Sequence, residues 1–214
     1  MPERIPALAA LFYNWLPARI FLPHYQMIAD TISLQENQTL LDVGTGPGML
    51  PIRIAERFPK SKIVGIDLSG KMIEIACKNK VRHGALANVE FKIMDAKALE
   101  FGDNSLDMVI STGALHHWKK PVLVLNEIHR CLKPGSEAWI YDGYGDAADA
   151  DIEKSIKKLF CGFPPTRLMK RILGFHGFSQ SQYDTIVKSM VRNTSFKTCL
   201  FEKCGIMMRL RLRK

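Results

Sequence analysis

Leu40-Leu41-Asp42-Val43-Gly44-Thr45-Gly46-Pro47-Gly48 is a short apolar run that ends in three alternate glycines. A compact run of this kind reads as a buried strand. The glycines that follow let the backbone take positive φ and approach a ligand without interference from a Cβ. Pro51–Phe58 then reads as a helix, with Pro51 tolerated in its first turn. A strand, a glycine loop and a helix N-terminus together offer unpaired N–H groups suited to a carboxylate or phosphate.

Outward from this loop the chain alternates strands and helices. Lys62–Ile66, Val89–Met94, Leu106–Ser111 and Glu137–Tyr141 read as further strands. Ser69 is the expected N-cap of a helix running to about Arg82, and Val122–Cys131 is the helix before Pro134-Gly135. This alternation predicts β-α-β units and a largely parallel, doubly wound α/β sheet. Phe196–Phe201 and Ile206–Leu212 flank a short turn near Gly205 and must pair antiparallel. The expected fold is a mostly parallel seven-stranded sheet carrying an antiparallel strand from this C-terminal hairpin.

Residues 1–35 are expected to form an N-terminal helical cap and 36–214 the main domain, with 143–192 a helical insertion or lid. Within that insertion, Ala147–Phe160 carries Asp149 and Asp151 at its start and Lys157 and Lys158 at its end, matching a helix dipole. Thr166–Leu173 reads as a short basic helix, and Ser179 with Gln182 as a capping box.

The chain has 214 residues, 47% of them hydrophobic and 24% charged, enough for one large globular domain without crosslinks. Five cysteines, with no C-x-x-C pair, read as reduced thiols and a cytoplasmic setting. No metal site is expected from their spacing, and no apolar run reaches transmembrane length. The net charge of +9 favours anionic partners.

Three nucleotide loops compete for the glycines. The dinucleotide pattern G-x-G-x-x-G fits Gly44 and Gly46, but Met49 takes the third position. A P-loop near-match at Gly65-Ile66-Asp67-Leu68-Ser69-Gly70-Lys71 lacks the magnesium-binding hydroxyl, since Met72 follows. Asp42-x-Gly44-x-Gly46-x-Gly48 resembles motif I of class I S-adenosylmethionine-dependent methyltransferases. Asp67 at the end of the second strand and Asp95-Ala96 after the third continue the resemblance. So do Ser111-Thr112-Gly113-Ala114-Leu115-His116-His117-Trp118 after the fourth strand and Cys131-Leu132-Lys133-Pro134-Gly135 before the fifth. These last segments are similar to the small-molecule subgroup called type 11. The matched stretch is about Leu40 to Asp142.

The resemblance implies S-adenosyl-L-methionine as cofactor, with contacts from Asp42, Gly44, Thr45, Gly46, Gly48, Asp67, Leu68, Asp95, Ala96 and Ser111. Asp67 would accept from both ribose hydroxyls, because a carboxylate can receive two hydrogen bonds from a vicinal diol. Asp95 would accept from the adenine amino group. The implied function is in-line methyl transfer to oxygen, nitrogen or carbon of a small-molecule acceptor.

His116 and His117 are the candidate bases, since neutral imidazole suits that work near pH 7. Adjacent residues point in different directions, so at most one should face the pocket; no acid is evident in the sequence to complete a triad. Tyr13 and Tyr25 are placed to close over the cofactor or to pack in the core. Tyr141, Asp142 and Tyr144 are expected on the substrate side. Phe163–His176 is the expected lid, with Arg167, Lys170 and Arg171 available to an anionic acceptor.

Two other functions stay open. The basic tail Arg209-Leu210-Arg211-Leu212-Arg213-Lys214 could follow a phosphate backbone, which suits an RNA- or protein-modifying methyltransferase. Against nucleic acid, no Asn/Asp-Pro-Pro-aromatic motif follows the fourth strand, and no aromatics interleave the tail. A non-catalytic cofactor-binding module is the other alternative. The methyl acceptor and the oligomeric state are not legible.

Overall fold

The computed structural model describes residues 17–160 and 177–214, with side chains described over 24–155 and 177–214. The strands are β1 (Thr39–Val43), β2 (Lys62–Asp67), β3 (Val89–Ile93), β4 (Leu106–Thr112), β5 (Leu132–Tyr144), β6 (Gly177–Phe178), β7 (Leu200–Cys204) and β8 (Met207–Arg213). The helices are α1 (Pro17–Thr31), α2 (Met49–Arg57), α3 (Gly70–Arg82), α4 (Pro121–Cys131) and α5 (Asp149–Phe160). A sixth, α6, runs continuously through Gln180–Gln182, a π-helical stretch Tyr183–Val187, and Lys188–Arg192.

The sheet order is β3-β2-β1-β4-β5-β8-β7, with β6 pairing to β5 off that path. β1 pairs in parallel with both β2 and β4, so the strand order reverses beside it. Such a switch point opens a crevice at the carboxyl ends of the strands. β8 runs antiparallel to both β5 and β7. The expected doubly wound sheet with its antiparallel hairpin strand is therefore present.

β1 is central and covered on both faces, which is why its apolar run is continuous rather than alternating: Leu40 and Leu41 are wholly buried. α2 lays Leu50, Ile52, Ile54 and Ala55 onto the sheet. α3 begins at Ser69, whose hydroxyl accepts from the Met72 N–H. α4 has Pro121 in its first turn and buries Val124, Leu125, Ile128 and Cys131. At the opposite end of the sheet from the crevice, the Asp107 carboxylate accepts from the Thr39 N–H at 2.9 Å and from Lys133 Nζ at 2.6 Å, tying β1, β4 and β5 together.

Some boundaries differ from the sequence reading. β5 starts directly after α4, because Leu132 already pairs with Leu106 before a register slip carries the strand past Pro134-Gly135. β7 starts at Leu200 rather than Phe196; Phe196 instead turns inward, 6% exposed, with its ring edge-on to His129. α5 starts at Asp149, two residues later than expected. The capping box forms as read: Ser179 Oγ accepts from the Gln182 N–H, and the Gln182 side chain accepts from the Ser179 N–H.

The expected basic helix Thr166–Leu173, the lid Phe163–His176 with Arg167, Lys170 and Arg171, and Tyr13 lie outside the described residues. Cys77, Cys131, Cys199 and Cys204 are unbridged. No described helix is long and apolar enough to cross a membrane.

Candidate active site

The loop after β1 is fixed by β2: the N–H groups of Gly44 and Thr45 both donate to Ile66 O, at 2.9 and 2.8 Å. Its glycines serve different ends. A Cβ at Gly48 would come within 2.5 Å of Phe91 and 2.7 Å of Ala76, so this glycine lets α2 start tight against β3 and α3. A Cβ at Gly46 would meet nothing within 4 Å, because that residue faces open space. φ is positive at both.

That space is a cavity of about 300 Å³ at the carboxyl ends of β1 to β4, the lower end of the usual range for small-molecule sites. Its walls bring together Asp42, Gly44, Thr45, Gly46, Asp67, Leu68, Asp95 and Ala96, which lie up to fifty-odd positions apart in the chain. His117, Trp118, Lys119, Lys120, Thr112 and Tyr25 also line it. Tyr25 also packs on the core, so both roles read for it coexist.

Three expected site residues are placed elsewhere. Gly48 does not line the cavity and acts through packing. Ser111 is wholly buried, and its hydroxyl donates to Val43 O at 2.7 Å, joining β4 to β1 beneath the loop. His116 turns away from the cavity toward β5.

Asp67 Oδ2 accepts from the Gly46 N–H at 2.9 Å and Oδ1 from the Ser69 N–H at 2.8 Å. Burial raises its carboxyl above the ordinary range, opposed by the backbone N–H groups of Ser69, Gly46 and Leu68. Asp95 Oδ1 accepts from the Lys97 N–H at 3.0 Å, and Lys97 Nζ lies 3.4 Å from Oδ2. Asp42 is 2% exposed. Burial pushes its carboxyl up to about 7, with the Thr45 side chain opposing and the nearby Asp67 charge reinforcing.

Thr112 Oγ1 is buried without a hydrogen-bond partner among the described residues, and it lines the cavity together with the facing side chains of Asp42 and Thr45. Buried polar atoms are normally satisfied, so a polar ligand suits this wall. A nucleoside joined to an amino acid, offering a diol, an ammonium and a carboxylate, fits this set of acids, hydroxyls and loop N–H groups.

The sequence reading found no acid beside the histidines, and here it is corrected. Asp142, expected on the substrate side, is wholly buried and receives His116: Nδ1 lies 2.8 Å from Oδ1 and 3.0 Å from Oδ2, and the His116 N–H donates to Oδ2 at 3.1 Å. Tyr141 and Tyr144 are buried too, and none of the three lines the cavity. Lys97, Lys119 and Lys120 do line it, and none was singled out from the sequence.

A family model described as a methyltransferase domain matches residues 34–162. Phosphoethanolamine N-methyltransferase 3 of Arabidopsis thaliana is 34% identical over 113 residues, covering 53% of this chain and 22% of the relative. Sterol 24-C-methyltransferase erg-4 of Neurospora crassa is 33% identical over 119 residues, covering 56% and 31%. The chain thus spans less than a third of the length of either relative. Among solved structures, a SAM-dependent methyltransferase from Aquifex aeolicus superposes with a TM-score of 0.68 at 20% identity, covering 98% of each chain. Phosphoethanolamine N-methyltransferase 2 of Haemonchus contortus, in complex with phosphomonomethylethanolamine and S-adenosylhomocysteine, gives 0.64 at 20% identity, covering 92% of this chain and 44% of that one. With its glycine loop, its strand-end acids and a family match over more than half its length, the chain belongs to the S-adenosylmethionine-dependent methyltransferases.

Proposed function

We propose that the protein transfers a methyl group from S-adenosylmethionine to a small, anionic acceptor entering on the His117 side of the cavity. The observation that carries this reading is the convergence of Asp42, Gly44–Gly46, Asp67 and Asp95 on one cavity whose remaining wall holds an imidazole and three lysines. When bound, the cofactor supplies an electrophilic sulfonium methyl. The residues of the chain do the rest.

Asp67 has two carboxylate oxygens, each already taking one backbone N–H, and keeps lone pairs for a ribose diol. Asp95 and Ala96 would take the adenine ring, and Asp42 with the loop N–H groups the amino-acid end. Holding the acceptor in line with the methyl can contribute about 7–11 kcal/mol through proximity alone. His117 is the candidate to take a proton from the acceptor, because it faces the cavity and His116 does not. Lys97, Lys119 and Lys120 favour a phosphate or carboxylate on the acceptor; Lys97 also pairs with Asp95.

The nucleic-acid alternative is weakened. Arg209 pairs with Glu202 at 2.6 Å and Arg211 with Glu137 at 2.9 Å, so two of the four cations of the period-two basic strand are neutralised. The test is calorimetry with S-adenosylhomocysteine, followed by label transfer from S-adenosylmethionine to a panel of phosphorylated and carboxylated amines and alcohols, with RNA as a further acceptor. Binding and transfer to an anionic small molecule are expected. Absence of homocysteine-cofactor binding, or transfer to RNA alone, would overturn the reading.

A further inference from the structure

Asp142 does not line the cavity, yet it is a wholly buried acid with several nitrogen partners. Oδ1 receives the Gly143 N–H at 2.8 Å and Oδ2 the His116 N–H at 3.1 Å, while His116 Nδ1 lies 2.8 Å from Oδ1 and 3.0 Å from Oδ2. With both oxygens already accepting backbone N–H groups, the arrangement suits a proton on His116 Nδ1. The His116 ring then lies against His117, with centroids 3.9 Å apart and planes tilted by 45°. His117 is the member of the pair that lines the cavity.

The backbone of this loop is held by other means. The Gly113 N–H donates to Tyr141 O at 2.8 Å, the His117 N–H to Ala114 O at 3.0 Å, and the Trp118 N–H to Leu115 O at 3.1 Å. What the carboxylate adds is control of the rings. We propose that Asp142 is a positioning residue: it locks His116 through ring and backbone, and His116 in turn sets the plane of His117 toward the acceptor. The proposal rests on the reading of His117 as the residue facing the acceptor, but its test does not need turnover.

Asp142→Asn is the decisive variant. Asparagine must turn its NH₂ toward one of the donors around it. In either placement that NH₂ faces a backbone N–H, of Gly143 or of His116, while the retained oxygen still accepts from the imidazole Nδ1–H, so the hold on the ring loosens without a change of tautomer. Long-range proton–nitrogen spectra of the full chain report the tautomer directly. The expected result is an Nδ1–H signature at His116 in the wild type, with a faster-exchanging Nδ1–H in Asp142→Asn. The His117 ring resonances should shift, and affinity for S-adenosylhomocysteine should stay within about twofold, since Asp142 lies outside the cofactor wall. An Nε2–H tautomer in the wild type, or unmoved His117 resonances in Asp142→Asn, would overturn the proposal.

If Asp142→Asn fails to fold, His116→Asn serves instead. Its amide still donates to Asp142 but removes the ring beside His117. The His117 resonances should then shift with cofactor affinity kept; unmoved resonances would again overturn the proposal. A wild type that shows the tautomer but binds no S-adenosylhomocysteine would sink the proposed function and leave the positioning role standing.

Discussion

Gly46 donates its backbone N–H to the Asp67 carboxylate at 2.9 Å, so the tip of the glycine loop and the acid ending β2 form one unit. Asp67→Ala removes both the acceptor for the expected ribose and the anchor of the loop. Loss of charge-assisted hydrogen bonds worth about 1.5–3 kcal/mol should weaken S-adenosylhomocysteine at least about tenfold. Calorimetry reads this directly, and equal affinity would argue against a cofactor on that carboxylate.

Gly46 and Gly48 separate ligand from fold. Gly46→Val adds bulk to open cavity space, so cofactor binding should vanish while the circular dichroism remains, at a backbone-strain cost of about 1–3 kcal/mol for a β-branched residue at a φ of +52°. Gly48→Ala drives a Cβ to 2.5 Å from Phe91 at a φ of +75°. It should cost about 1–3 kcal/mol in urea unfolding, through overpacking and backbone strain. The reverse pattern would mean that the loop's tip, not its base, holds the structure.

Asp42 makes stability fall with pH. Its carboxyl rises from an ordinary 3.8 to about 7 on folding, so between those values the folded chain binds the extra proton. The slope of unfolding free energy with pH is then negative: the contribution is full below about 4 and is lost as pH rises through about 7. Asp42→Asn should remove this slope, gaining on the wild type from pH 4 to pH 7 in urea midpoints. A cationic ligand group beside Asp42 should offset the loss in the wild type. Parallel stability curves for the two proteins would refute the assignment.

The sheet and much of the cavity wall were legible because their signals are local. A glycine loop directly after an apolar run, and an acid at or just past the end of each of the next two strands, carry their meaning within a few residues. Asp142 with His116 was not, because their meeting depends on the register of β4 on β5 across 26 positions, with a slip near Leu106. The same register decides that Asp142 points inward, where the sequence reading had it beside the acceptor. β7 was misplaced by four residues because apolar Phe196 reads equally well as strand or as the inward turn that closes α6 against α4. Ser111 looks like a site residue from its position after β4, yet its hydroxyl is consumed by the neighbouring strand.

Arg209 tests what the basic C-terminal strand is for. Its guanidinium lies 4.5 Å from the Trp139 ring centroid and 5.7 Å from that of Tyr141, while Nε reaches Glu202 at 2.6 Å and an NH donates to the Tyr141 hydroxyl at 3.1 Å. Planar stacking and a forked donor set are properties lysine lacks. Arg209→Ala should therefore lower stability by about 1–3 kcal/mol, with Arg209→Lys falling between it and the wild type. Salt separates the causes: a partly exposed ion pair is screened at about 1 M salt, whereas stacking on Trp139 is not. More than half of the Arg209→Ala cost should survive in high salt if the stack dominates. A cost that disappears there would return the strand to ordinary surface charge, and with it the case for a polyanion along Arg209 and Arg211.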